Sequence, residues 1–255
     1  PAPTNTLRPP VGPSLAYAAL NDMLNTGGTV GGTSAGAAMM SVDMITGGRS
    51  EQALLVGVEG GGVGVAEGVG RFRFGMIDQH FCGRGGLGRL IVALEHTGET
   101  WGLGIDEGKA IVATLGDSPT VTALGPDSAL LVYMTDATRD LRGNRTSVRL
   151  SLLGTGDRWD VQAQRVTPAA EKQLRSEVFL PTDASHTATD QDAWDPGAIR
   201  DAIHALAADP ATPQVLRSRA FTLTFTSDDR TRFAYAPNNR RDLCAIDVLL
   251  EITRR

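Results

Sequence analysis

The chain has 255 residues, 41% of them hydrophobic, enough to bury a substantial core in one large or two small domains. Its formal net charge of −5 argues against a nucleic-acid binder, which needs a basic face. No run reaches the roughly eighteen apolar residues that cross a bilayer as a helix, and no signal peptide is visible. The chain opens on Pro1 and not Met, which fits processing or truncation and leaves the compartment open, with the cytoplasm favoured over secretion.

In chain order, Pro13 and Ser14 open a helix with Leu15, Ala18, Ala19, Met23 and Leu24 on one buried face, ended by Gly27-Gly28. A short strand over Thr29 to Gly31 leads into Gly31-Gly32-Thr33-Ser34-Ala35-Gly36-Ala37-Ala38, and an apolar helix follows from Ser34 to about Ile45. The glycine-rich stretch Gly57 to Gly70 reads as a loop, more a plain connection than an active-site cover. It enters a strand, Phe72 to Ile77, that ends in Asp78-Gln79-His80-Phe81. A helix over Leu87 to His96 precedes a second strand, Trp101 to Ile105, that ends in Asp106-Glu107. Ala110 to Leu115, Val121 to Leu124 and Ala129 to Met134 form a meander that closes the core.

Beyond Thr135 the pattern predicts strands at Ser147 to Leu153 and Trp159 to Val166, a long polar loop from Pro181 to Asp195, and a helix from Asp195-Pro196 to Ala208. A hairpin of Phe221 to Thr226 with Arg232 to Ala236 and a last strand, Ala245 to Ile252, complete it. Residues 1–134 read as a catalytic α/β core and 135–255 as a β-rich elaboration packed on it.

Ser34 stands at the centre of a G-x-S-x-G turn, where a sharp strand-to-helix bend exposes the hydroxyl and frees backbone N–H groups for an oxyanion. Gly32 and Gly36 are expected to let the strand and helix backbones approach. His80 and the carboxylates at 106 and 107 each follow a strand, so all three groups can meet beyond the strands' carboxyl ends. The order Ser, His, Glu differs from that of an α/β-hydrolase, which would need a late histidine. His186, in a polar loop, and His204, inside a helix, read instead as structural. Cys82 and Cys244 form no metal-binding pair, no zinc spacing is present, and no metal or cofactor is expected.

The pieces GGTSAGAA, DQHFxxR and GIDE together resemble the cyanophycinase and dipeptidase E family of serine peptidases, over about Leu15 to Tyr133. The resemblance implies a mostly parallel α/β sheet flanked by helices, similar to class I glutamine amidotransferases. It makes Ser34 the nucleophile, His80 the general base, Glu107 the orienting acid and the Ala35 N–H one oxyanion donor. Strand alternation lets only one of Asp106 and Glu107 reach the imidazole, and the resemblance selects Glu107. Asp78, Gln79, Arg84 and Arg89 are the candidate substrate ligands, the arginines suiting a carboxylate. Both arginines read equally well as structural.

Two departures stand out. The family's R-x-R-x-x-R-L cluster reads Arg84-Gly85-Gly86-Leu87-Gly88-Arg89-Leu90 here, with Gly86 in place of the middle arginine, which weakens the case for a substrate rich in aspartate. Only 33 residues precede Ser34, so the family's first strands are expected to be missing; Pro3 to Leu7 lack the glycines of its second oxyanion turn. The expected function is a serine exopeptidase acting on short peptides through an acyl-enzyme. The alternatives are a cyanophycinase-like endo-acting hydrolase and a non-catalytic binding or assembly protein. An esterase is disfavoured by the low aromatic content. A small peptide is the expected partner, with no nucleic acid or membrane, and a homodimer is left open.

Overall fold

The computed structural model describes residues 14–126, 128–175 and 192–255. The expectations at Pro13, Pro3 to Leu7, His186 and residues 181–191 lie outside the described residues.

Helix α1 (Leu15–Asn25) begins where expected, the Ser14 hydroxyl accepting the Tyr17 N–H at 3.2 Å. Its apolar face is not buried, however: Leu15 and Met23 are exposed, and Tyr17 makes the tertiary contact, accepting from Arg71 Nη2 at 3.0 Å. No strand forms over residues 29–31, and the helix after Ser34 is a single turn, α2 (Ala35–Ala38). The expected helix to Ile45 gives way to β1 (Asp43–Gly48), because Ile45 and Thr46 are β-branched and find a partner strand. That partner is β2 (Val63–Glu67), antiparallel to β1 and lying in the glycine-rich stretch that reads as a loop.

Helix α3 (Ser50–Val56) follows β1, and the core strand β3 (Met76–Gln79) follows β2. Helix α4 (Leu87–Thr97) then crosses over to β4 (Trp101–Ile105), which lies parallel to β3. Next come β5 (Ala110–Thr114), β6 (Thr120–Leu124), β7 (Ala129–Tyr133), β8 (Thr138–Arg139), β9 (Arg145–Leu153), β10 (Arg158–Asp160), β11 (Arg165–Thr167) and β12 (Gln173–Leu174). Helix α5 (Ala198–Ala208) precedes β13 (Gln214–Arg217), β14 (Phe221–Thr226), β15 (Arg232–Ala236) and β16 (Asn239–Arg254).

The main sheet runs β12-β15-β16-β9-β7-β4-β3, with β8, β13 and β14 attached to it. The expected mostly parallel sheet is not what the described residues form. Among their paired strands β3 and β4 alone run parallel, since α4 alone supplies a crossover that returns the chain in the same direction. The other pairs, from β4–β7 through β7–β9 to β9–β16, are antiparallel. Strands after Thr135 therefore extend the sheet that carries β3.

Two further readings are corrected. Residues 159–166 form a hairpin of β10 and β11, not one strand, because a turn over residues 161–164 intervenes. β14 and β15 do not pair with each other; both pair along β16, at Leu249–Arg254 and Asn239–Ile246 respectively.

One face of the main sheet packs on α3, α4 and α5, around Met76, Leu90, Leu130 and Leu150. The other buries Ile77, Leu103, Leu131 and Leu153 against a four-stranded antiparallel sheet, β11-β10-β6-β5. The alternation of Met76 and Ile77 between the two cores fixes the face of each residue that follows on β3.

Candidate active site

The Ser34 backbone has φ 52° and ψ −124°, and His80 has φ 50°, two left-handed values at residues other than glycine. Such strain persists only where surrounding structure holds it, and it clusters at functional sites. At the serine, a Cβ on Gly32 would lie 2.1 Å from the Gly36 carbonyl oxygen, so the turn admits only glycine there. A Cβ on Gly36 would meet nothing within 4 Å, so close approach explains Gly32 and not Gly36.

At the histidine, Phe81 is fully buried with its ring over Gly104, where a Cβ would sit 2.2 Å from the ring. The glycine of GIDE thus makes room for the residue after His80 and anchors the end of β3 against β4. The imidazole bridges two partners: Nε2 lies 3.1 Å from Ser34 Oγ and Nδ1 lies 2.6 Å from Glu107 Oε1. The His80 side chain is 24% exposed and that of Glu107 76%, so the relay opens to solvent at its acid end. Gln79 Oε1 stands 3.5 Å from Ser34 Oγ, at the limit of a hydrogen bond. Asp106 points elsewhere, buried, with Oδ1 accepting the Gly83 N–H at 3.1 Å. Ala35 is the first residue of α2, a position whose N–H has no acceptor within the helix.

Two of the expected substrate ligands are engaged internally. Asp78 is 1% exposed and Arg89 6%, and they form a bidentate pair, Nε to Oδ2 at 2.7 Å and Nη2 to Oδ1 at 2.8 Å. Arg89 donates its remaining bonds to the Gly48 and Gln79 carbonyls at 3.1 and 3.2 Å. Burial pushes the Asp78 carboxyl up and the Arg89 guanidinium opposes it. The first turn of α4 carries Arg89 behind β3, where it ties strand to helix. Arg84, by contrast, is exposed on a 3-10 turn, Cys82–Arg84, just beyond His80. The missing middle arginine also has a steric reason: a Cβ on Gly86 would come within 2.8 Å of the Phe81 ring and 2.9 Å of Asp78 Oδ2.

The sequence reading missed Ser41 and Ser50. Ser41 Oγ accepts the Ile77 N–H at 2.8 Å, and Ser50 Oγ accepts the N–H groups of Gly88 and Arg89 at 3.0 and 3.2 Å while donating to the Gly85 carbonyl. Their partners are 35 to 39 residues away, so no local pattern announces them. Among the described residues no three His, Cys, Asp or Glu side chains gather as a metal site, and no helix is long and apolar enough to cross a membrane.

No family model matches the chain. Individual proteins do. The cyanophycinase of Trichormus variabilis is 33% identical over 152 residues, 56% of this chain and 49% of that protein, and that of Nostoc sp. gives the same figures. The cyanophycinase of Geminocystis herdmanii is 34% identical over 139 residues, 52% of this chain and 49% of its own length. Over that part of its length the chain is similar to cyanophycinases. The chain spans about half the length of the curated relatives it matches.

Proposed function

We propose that this chain is a serine-type hydrolase of peptide bonds, acting as an exopeptidase on short peptides. The observation that carries the reading is the unbroken contact Ser34 Oγ to His80 Nε2 to Glu107 Oε1, built from three separate segments. His80 Nε2 takes the Ser34 proton as Oγ attacks the carbonyl carbon, and Glu107 accepts from Nδ1–H, holding the tautomer and steadying the imidazolium. The Ala35 N–H receives the oxyanion. Nε2 gives the proton to the leaving amine; water, deprotonated by Nε2, then attacks the acyl carbon, and Nε2 hands that proton to Ser34 Oγ as the C–Oγ bond breaks and the acid leaves. Arg84 supplies a cation for a substrate carboxylate.

The similarity to cyanophycinases favours a second reading in which the same chemistry acts within a polymer. The dipeptidase E side of the resemblance and the glutamine amidotransferase-like class rest on the motifs. The experiment is incubation with short peptides blocked at either end and with cyanophycin, with products identified by mass. Ser34→Ala should lose about a million-fold in turnover with an unchanged thermal midpoint. Retained hydrolysis in that folded variant refutes the nucleophile. Cleavage of doubly blocked peptides or of the polymer alone refutes the exopeptidase.

A further inference from the structure

At the end of β4 opposite Glu107 lies a cavity of about 290 Å³, between the main sheet and the β10–β11 hairpin. It falls just below the usual range of ligand pockets, roughly 300 to 1,000 Å³, and so suits a small molecule. Its apolar part is built on Trp101 and Tyr133, stacked with ring centroids 3.9 Å apart, together with Leu131 and Ile246. Its polar part holds Arg165, Arg230, Asp247 and Gln164.

Two observations mark it as a site. The described residues include five non-glycine positions with left-handed φ: Ser34, His80, Ser147, Gln164 and Asp247. Two of these form the relay, and two, Gln164 and Asp247, line this cavity. Glycine would relieve both positions, yet each keeps a polar side chain. The second observation is that the charges are loosely held. Arg230 Nη1 lies 3.3 Å from Asp136 Oδ2 and Nη2 lies 3.5 Å from Asp247 Oδ2, with the Arg230 side chain 43% exposed, and Arg165 is exposed. The Asp247 backbone, in contrast, is fixed: its N–H donates to Ser151 Oγ at 3.1 Å and its carbonyl accepts from Arg149 Nη1 at 2.9 Å.

The geometry points to a second ligand site, for a free α-amino acid with a bulky apolar side chain. The carboxylate meets Arg165 and Arg230, the ammonium meets Asp247, and the side chain lies on Trp101 and Tyr133. Cations, anion and apolar surface are then each matched within one small molecule. The site is separate from Ser34 and does not depend on the peptidase reading.

The test is calorimetric titration of the full chain with L-phenylalanine, L-phenylalaninamide and N-acetyl-L-phenylalanine, with tryptophan fluorescence alongside. L-phenylalanine should saturate at millimolar concentration or below, and each blocked form, lacking one charge, should bind about tenfold or more weakly. Arg230→Met should weaken L-phenylalanine by about tenfold, as should Asp247→Asn, whose asparagine tolerates the left-handed backbone. Ser34→Ala should leave binding unchanged. The proposal is overturned by no saturable binding, by equal affinity for the blocked forms, by unaltered binding in Arg230→Met, or by loss of binding in Ser34→Ala. Should Asp247→Asn unfold, Arg230→Met, which disturbs only two long, partly exposed ion pairs, decides alone.

Discussion

Arg89→Met separates a substrate-reading arginine from one that holds the fold. The guanidinium lies on both oxygens of Asp78 and on the Gly48 and Gln79 carbonyls, so its removal strands a buried carboxylate beside β3. Breaking one side of a buried pair costs about 3 to 5 kcal/mol. For a chain of this size each kcal/mol moves the thermal midpoint by roughly 2 to 4 °C, so the midpoint should fall by about 6 to 20 °C. The double variant Asp78→Leu/Arg89→Met should recover most of that loss, because a buried pair exchanged whole for apolar residues is often neutral. The assay is thermal unfolding of both single variants and the double, with KM measured on free and amidated peptides at a temperature where all are folded. An Arg89→Met protein with an unchanged midpoint and a raised KM confined to free carboxylates would refute the structural assignment. The same substitution at exposed Arg84 should give that kinetic pattern with little change in stability.

Gly32→Ala places a Cβ against the Gly36 carbonyl and must displace Ser34; a shift of about 1 Å costs about a hundredfold in kcat, read by steady-state kinetics on folded protein. Glu107→Gln should lower kcat by about ten-thousandfold by losing the tautomer control at Nδ1, whereas Asp106→Asn should spare kcat and cost about 1 kcal/mol through the Gly83 N–H, both read against thermal midpoints. Burial, helped by Arg200, lowers the His204 pKa from its ordinary 6.5 to about 4. The folded state therefore prefers the neutral ring. That stability is fully present above pH 6.5 and is lost as the pH falls through 4, to a limit of about 3 kcal/mol. Denaturant titrations between those pH values should show His204→Gln flatter than wild type.

What the sequence disclosed was short-range. The runs ending at Ile77 and Ile105 are apolar, bounded by polar residues and too brief for helices, so His80 and Glu107 could be placed at strand ends. The elements misread were those decided at a distance. Residues 43–48 look helical beside an apolar run, and only the partner at Val63–Glu67 makes them a strand. Asp78 and Arg89 each suit a substrate when taken singly; the crossover of α4 brings them together. Sheet direction likewise follows from which strands meet, and β14 and β15 look like a hairpin until β16 takes both.

β16 carries a consequence for synthesis. It is 16 residues long, about 50 Å of extended chain, with β9 along one side and β14 and β15 end to end along the other. All three of those strands leave the ribosome before it does. Until residues 239–254 emerge, β9 has an open edge beyond the β3-β4-β7 half, and β14 and β15 present apolar edges held only by the short strands β13 and β12. A nascent chain can thus assemble the Ser34 half early, yet it stays exposed to edge-to-edge association until β16 closes the sheet in one late step.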